Sequence, residues 1–173
     1  MISHRNVIAN TLQIKAFEQN HRSAAQPKDG LAVYSEIGLG LLPQSHIYAL
    51  VVICHAGAYR GDQTIVLPKF EMASYLAAIQ NFKITGLFLV SSCSSTQDSC
   101  SVSNTDQVPP IIINMLRNQD VCSKYDLSSV TSLFTGAAPL GMETAEQFQK
   151  IYPNVAIRQG YGTHEKSIII KQY

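Results

Sequence analysis

Two short glycine-rich stretches in the last quarter of the chain carry the residue types best suited to gripping a planar ligand through the backbone. Gly136-Ala137-Ala138-Pro139-Leu140-Gly141 has almost no side chain, so its peptide groups can lie flat against a ring. Gln159-Gly160-Tyr161-Gly162 sets an aromatic residue between two glycines, where the ring can stack on a base and the glycines let amides reach polar atoms. Taken singly, each also reads as a tight turn with Tyr161 simply packed, because short glycine motifs recur by chance. His46 and Tyr48 precede the apolar run Val51-Val52-Ile53, and a lone histidine beside such a run reads first as a hydrogen-bonded core residue.

The elements that must hold the two stretches are legible around them. Val130 to Phe134 is too short an apolar run for a helix and is expected to be a buried strand ending at Thr135 and Gly136. Met142, Ala145, Phe148 and Ile151 recur at helical spacing until Pro153 stops the pattern, and Val155 to Ile157 makes a second short strand. A crossover helix between two such strands implies parallel pairing, with both glycine turns at the same carboxyl edge, where open α/β sheets bind ligands. The expected fold class is therefore α/β with a parallel sheet.

Earlier segments fit that class. Ser3 is a plausible N-cap for a helix from about His4 to Glu18, whose apolar positions Val7, Ile8, Leu12 and Ile14 fit one face imperfectly. Gln19 to Asp29 is polar and reads as a surface connection. Thr64 to Leu67 and Ile84 to Val90 read as strands, and Glu71 to Lys83 as a helix with a core stripe of Met72, Tyr75, Leu76, Ile79 and Phe82. Pro109 and Pro110 suit the first turn of a helix continued by Ile112, Met115 and Leu116, followed by a polar connection from Asn118 to Tyr125.

Composition bounds the partners. A length of 173 residues, 46% hydrophobic residues and a formal net charge of +1 describe a globular segment with no electrostatic bias toward nucleic acid. The most apolar region, Gly38 to Ala58, is broken by Pro43, Gln44, Ser45, His46 and His55 and makes a poor membrane span. MISHRN lacks the apolar core of a signal peptide, and Cys54, Cys93, Cys100 and Cys122 lack metal-ligand spacing. The expectation is an intracellular chain with reduced thiols, with cytoplasm and peroxisome both open.

TGAAPLG followed, after a helix and a strand, by QGYG resembles the adenylate-forming superfamily, most closely acid–CoA ligases similar to 4-coumarate–CoA ligase. SHRNVIAN at 3–10, LPQSHIYAL at 42–50, VLPKFE at 66–71 and VPPIIINML at 108–116 agree in order, so the resemblance covers most of the chain. It implies a partial AMP-binding domain over residues 1–173, an incomplete part of the large N-terminal domain of such an enzyme. The implied reaction activates a small carboxylic acid with ATP and Mg²⁺ to an acyl adenylate, which the thiol of CoA then captures. By resemblance, His46, Tyr48, Gly136, Ala137, Ala138 and Pro139 line the acyl site, and Gln159, Gly160, Tyr161, Gly162 and His164 the nucleotide site. Lys69 aligns with a basic position that meets CoA, and Glu165 with a glutamate that helps hold Mg²⁺. The bland readings beside these are a solvated lysine and an exposed tail carboxylate.

The sequence also departs from the family pattern. His164 stands where the family has a threonine against the α-phosphate, and KSIIIKQY after Glu165 is unlike the family. A Gly/Ser/Thr-rich phosphate loop, a ribose-binding aspartate, a hinge and a lid domain with its lysine are family features not found in these residues. The polypeptide by itself is thus expected to be inactive or nearly so. The serine-rich run SSCSSTQDSCSVSNTDQ interrupts a βα connection that is usually a few residues long. Val90-Ser91 can be encoded by GTAAGT and Gln107 by CAG, the shapes of an intron's two ends, so one expectation is that residues 90–107 are a retained intron, whose in-frame removal would join GLFL to VPPIIINML. A genuine flexible insertion is the alternative. Two other functions stay open: an adenylation domain that loads a carrier-protein thiol, and a non-catalytic relic that keeps the nucleotide-binding turns.

Overall fold

Short apolar runs alternate along the chain with longer segments of helical period, and the architecture follows that alternation. The structure is a computed structural model that describes residues 3–25, 34–90, 111–136, 140–163 and 166–172, with the backbone alone from Tyr161 onward. Strands β1 (Ile37–Gly40), β2 (Gln63–Val66), β3 (Gly86–Val90), β4 (Ser132–Gly136), β5 (Ala156–Thr163) and β6 (Lys166–Gln172) form one sheet in the order β2-β1-β3-β4-β5-β6. The first five run parallel, as expected, and β6 returns antiparallel to β5. The chain goes outward from β1 to β2 and then crosses to β3 on the other side, so the order reverses between β1 and β3.

Both faces are covered. The helices are α1 (His4–Ala24), a π-helix (Ala49–Ala56) continuing into α2 (Gly57–Arg60), α3 (Met72–Phe82), α4 (Ile111–Arg117), α5 (Gln119–Cys122) and α6 (Met142–Ile151). Alternation along the strands divides the core in two. Leu39, Leu87, Leu89, Leu133 and Ile157 pack with Tyr75, Leu76 and Ile79 of α3, Ile111 and Met115 of α4, and Phe148 of α6. Phe88 and Phe134 point the other way, into Ile14 of α1 and Val51, Val52 and Ile53 of the π-helix. Ser3 caps α1, its Oγ accepting from the Asn6 amide at 3.3 Å. Lys83 closes α3 in the left-handed region at φ 50°, its N–H bonded to the Ile79 carbonyl.

The structure corrects several local expectations. Gln159 to Gly162 is not a turn but the carboxyl half of β5, because SIIIKQ supplies an antiparallel partner that pairs Gly160 with Ile170 and Tyr161 with Ile169. Gly162 sits at the irregularity between Tyr161 and Thr163, where a bulge fits a glycine. Helix α1 runs past Glu18 to Ala24, because Glu18 and Arg22 turn inward to ion partners instead of facing water. The connection after Asn118 forms α5 and buries Cys122. Met142 and Phe82, counted in apolar stripes, are 64% and 52% exposed because they are the first residue of α6 and the last of α3. Val90, the proposed excision point, belongs to β3 and lies opposite Gly136, whereas 91–107 and Pro109 and Pro110 lie outside the described residues. No helix among the described residues is long and apolar enough to cross a membrane.

Candidate functional site

The β4–β5 ladder ends at Thr135 and Gln159. Gly136 and Gly160 follow side by side at the carboxyl edge, each paired to its outer neighbour, Val90 and Ile170, and not to the other. A β-carbon on Gly136 would stand 3.5 Å from the Tyr48 ring and 3.7 Å from the Gly160 carbonyl oxygen, so Gly136 sits beside both. The Gln159 amide donates from Nε2 to the Leu140 carbonyl at 3.5 Å, which ties the second motif to the end of the first. Gly136 and Gly160 thus share one edge and form a shelf of bare backbone beside the Tyr48 ring.

Tyr48 enters from the connection after β1, at the N-cap of the π-helix. Ala49, Val51, Val52, Ile53 and Ala56 are all buried, an apolar density that draws the helix onto the sheet and carries Tyr48 inward. Its hydroxyl donates to the Phe134 carbonyl at 2.9 Å, and its ring lies 5.5 Å from that of Phe134. Burial pushes the phenol well above its ordinary pKa, so Tyr48 stays protonated and offers a ring face and not a base. His46 is exposed, and its Nδ1 accepts from the Tyr48 amide at 3.2 Å, which shapes the entry to the π-helix.

The remaining predicted residues separate into distinct groups. Lys69 is exposed in the turn after β2. Its strand is separated from β4 by β1 and β3, which on ordinary strand spacing is about 14 Å. Tyr161 and Gly162 are placed by their backbone in β5. Ala137, Ala138, Pro139, His164 and Glu165 lie outside the described residues. Among the described residues no group of three or more His, Cys, Asp or Glu is close enough to hold a metal. Cys54 and Cys122 are free thiols.

The sequence reading missed what lies directly behind the shelf. Arg158, immediately before Gln159, is 2% exposed and joins a cluster of three arginines and three carboxylates. Its Nη1 bonds Glu18 at 2.9 Å and its Nη2 reaches Glu36 at 3.4 Å. Glu18 also pairs with Arg60, Asp62 pairs with both Arg60 and Arg22 at 2.7 Å, and Ser132 donates to Glu36 at 2.7 Å. Burial raises the Glu18 carboxyl, against the opposing pull of Arg60 and Arg158. Burial works against the Arg60 cation, but Glu18 and Asp62 outweigh it and hold its pKa above the ordinary value. A signal existed: one arginine in an otherwise apolar strand, Val155-Ala156-Ile157-Arg158, must find carboxylates once buried.

A separate open groove of about 570 Å³ runs between α1 and the π-helix, lined by Val7, Ile8, Leu12, Ile47, Leu50 and Tyr59 among others. It shares no lining residue with the shelf.

The family model for AMP-binding enzymes matches residues 1–173. An acyl-CoA ligase of Purpureocillium lilacinum, lcsD, is 36% identical over 170 residues, 98% of this chain and 37% of that protein. The 4-coumarate–CoA ligase-like 9 protein of Arabidopsis thaliana is 31% identical over 96% of this chain and 25% of its own length. The chain therefore spans between a quarter and two fifths of these relatives. Among solved structures, the adenylation domain of a keto acid-selecting NRPS module bound to keto acyl adenylate superposes with a TM-score of 0.70 at 18% identity, over 98% of this chain and 28% of that one. At that identity the likeness establishes the fold alone.

Proposed function

Because the chain belongs to the AMP-binding enzyme family, we propose that it is the central acyl- and adenylate-binding portion of an acid–CoA ligase. The apposition of Gly136, Gly160 and the Tyr48 ring at the carboxyl edge of the sheet carries this reading. In the complete reaction a carboxylate oxygen attacks the α-phosphorus of ATP and pyrophosphate leaves. The CoA thiol then attacks the acyl carbon, and AMP leaves. Mg²⁺ would arrive with ATP and supply charge neutralisation at the phosphates.

The chain's own residues bind and orient. Tyr48 and the stretch from Gly136 to Pro139 would hold the acid, with the Tyr48 hydroxyl engaged by Phe134 so that the ring forms the wall. Gln159, Gly160, Tyr161 and Gly162 would hold the adenylate through backbone groups and a stacked ring, with His164 beside the phosphate, Glu165 toward Mg²⁺ and Lys69 toward CoA. The names of the curated relatives favour CoA over a carrier-protein thiol as acceptor.

The 173-residue polypeptide alone is read as binding adenylate without turnover. Calorimetric titration with AMP and with a non-hydrolysable acyl-sulfamoyl adenosine should show saturable binding, tighter for the second. Incubation with ATP, Mg²⁺ and aromatic or fatty acids should release no pyrophosphate. Absence of binding to both nucleotides would overturn the shelf reading, and steady pyrophosphate release would overturn the binding-only reading.

A further inference from the structure

We propose that Arg158 is a positioning residue for the nucleotide shelf, and that the buried charge cluster behind it aims the end of β5. This deepens the adenylate reading and rests on it. In the ladder Phe88, Phe134 and Arg158 stand opposite one another on adjacent strands, so Arg158 follows two aromatic residues in the row across β3, β4 and β5. The whole cluster could be replaced by well-packed apolar residues at equal or lower free-energy cost, since buried ion pairs rarely stabilise more than hydrocarbon, whereas removing Arg158 alone takes a buried partner from Glu18 and Glu36. What a guanidinium adds is direction, because its hydrogen bonds fix it along chosen vectors.

Those vectors are themselves anchored. Glu18 is held between Arg158 and Arg60, and Glu36 is held by Ser132. Glu36 also lies over Gly86, in the space a β-carbon there would occupy, so the glycine makes room for the carboxylate against the sheet. Asp62 locks Arg60 and Arg22 together and accepts from the Glu36 amide at 3.0 Å. The Arg158 grip is thus referred to α1, α2 and the lead-ins to β1 and β2. Beyond Gln159 the strand loses its pairing to β4, and Arg158 is the last side chain before that point on this face. A displacement of its guanidinium is passed directly to Gln159 and Gly160.

The test uses the full chain and three variants: Arg158→Met, Arg158→Lys, and Ile157→Val on the opposite face of the same strand. Amide hydrogen exchange at Gln159 and Gly160 is compared with Leu87 to Leu89 in β3, and AMP affinity is measured alongside. Arg158→Met should speed exchange at Gln159 and Gly160 at least tenfold more than in β3 and weaken AMP binding at least tenfold. Arg158→Lys should recover part of both. Ile157→Val should lower the melting temperature without either local effect. Equal local effects from Ile157→Val and the Arg158 variants would overturn the proposal. If Arg158→Met fails to fold, Arg158→Lys carries the comparison, with a smaller local effect in support and none against. If the wild-type chain does not bind AMP, the adenylate reading falls while the exchange data still decide whether Arg158 positions the strand.

Discussion

On the face covered by α3, α4 and α6, the strands contribute Leu39, Leu87, Leu89, Leu133 and Ile157, and among the described residues the buried charged side chains, Glu18, Glu36 and Arg158, all lie on the other face. On the face covered by α1 and the π-helix, the same strands contribute Phe88 and Phe134 beside Ser132 and Arg158, and α1 brings in Ile14 together with Glu18. The first face holds by area removed from water, which is non-directional and tolerates small shifts. The second holds partly by ion pairs whose geometry is specific. It is also the face from which Tyr48 reaches the shelf, so the directional chemistry lies beside the site and the non-directional chemistry away from it.

The largest effect that tests this contrast is on the charged face. Arg158→Ala should cost about 3 to 5 kcal/mol in urea denaturation, because Glu18 and Glu36 each lose a buried partner. Replacing Glu18 and Arg158 together with apolar residues of similar volume should recover most of that loss, since Arg22, Arg60, Glu36 and Asp62 stay balanced, while leaving β5 less well placed. A double variant as unstable as the single one would break the comparison. Leu133→Ala on the apolar face, fully buried, should cost about 2 to 5 kcal/mol by lost transfer energy and cavity, with AMP affinity of the folded protein unchanged.

The smallest effect is one of sign and is read by carboxyl NMR titration. Burial raises the Glu18 carboxyl, so its folded pKa lies above the unfolded one. Protonation then favours the folded state, and that contribution fades as pH rises through the raised value. Asp126 behaves oppositely. Hydrogen bonds from Lys83 first, and then Ser128, hold it well below the usual carboxylate range. Its contribution is present above the unfolded pKa of about 3.9 and is lost as pH falls toward the folded value. Lys83→Met should move Asp126 back toward the ordinary range and leave Glu18 where it is. Shifts of both carboxyls in one direction would contradict the assignment.

Much of the apolar face was legible beforehand, and for a physical reason. Tyr75, Leu76 and Ile79 recur at helical spacing and Leu87 and Leu89 at strand spacing, so each local period already states which side is buried. The glycine stretches were legible as a pair because missing side chains are visible in a sequence. Their geometry was only half so: Gly136 ends a strand as expected, but the second stretch belongs to β5, since its conformation depends on antiparallel pairing with β6.

The sequence by itself determined the alternation of strands and helices, the parallel sense of the sheet around the two glycine stretches, and family membership, because local period and motif order carry those. The tertiary structure alone decided that Glu18, Arg22, Glu36, Arg60, Asp62 and Arg158 meet, and that Tyr48 closes over Gly136. No local pattern encodes either meeting. Ion pairing and close approach act between groups as far apart in sequence as residues 18 and 158, and only the folding of the strands into one six-stranded sheet brings those groups within reach.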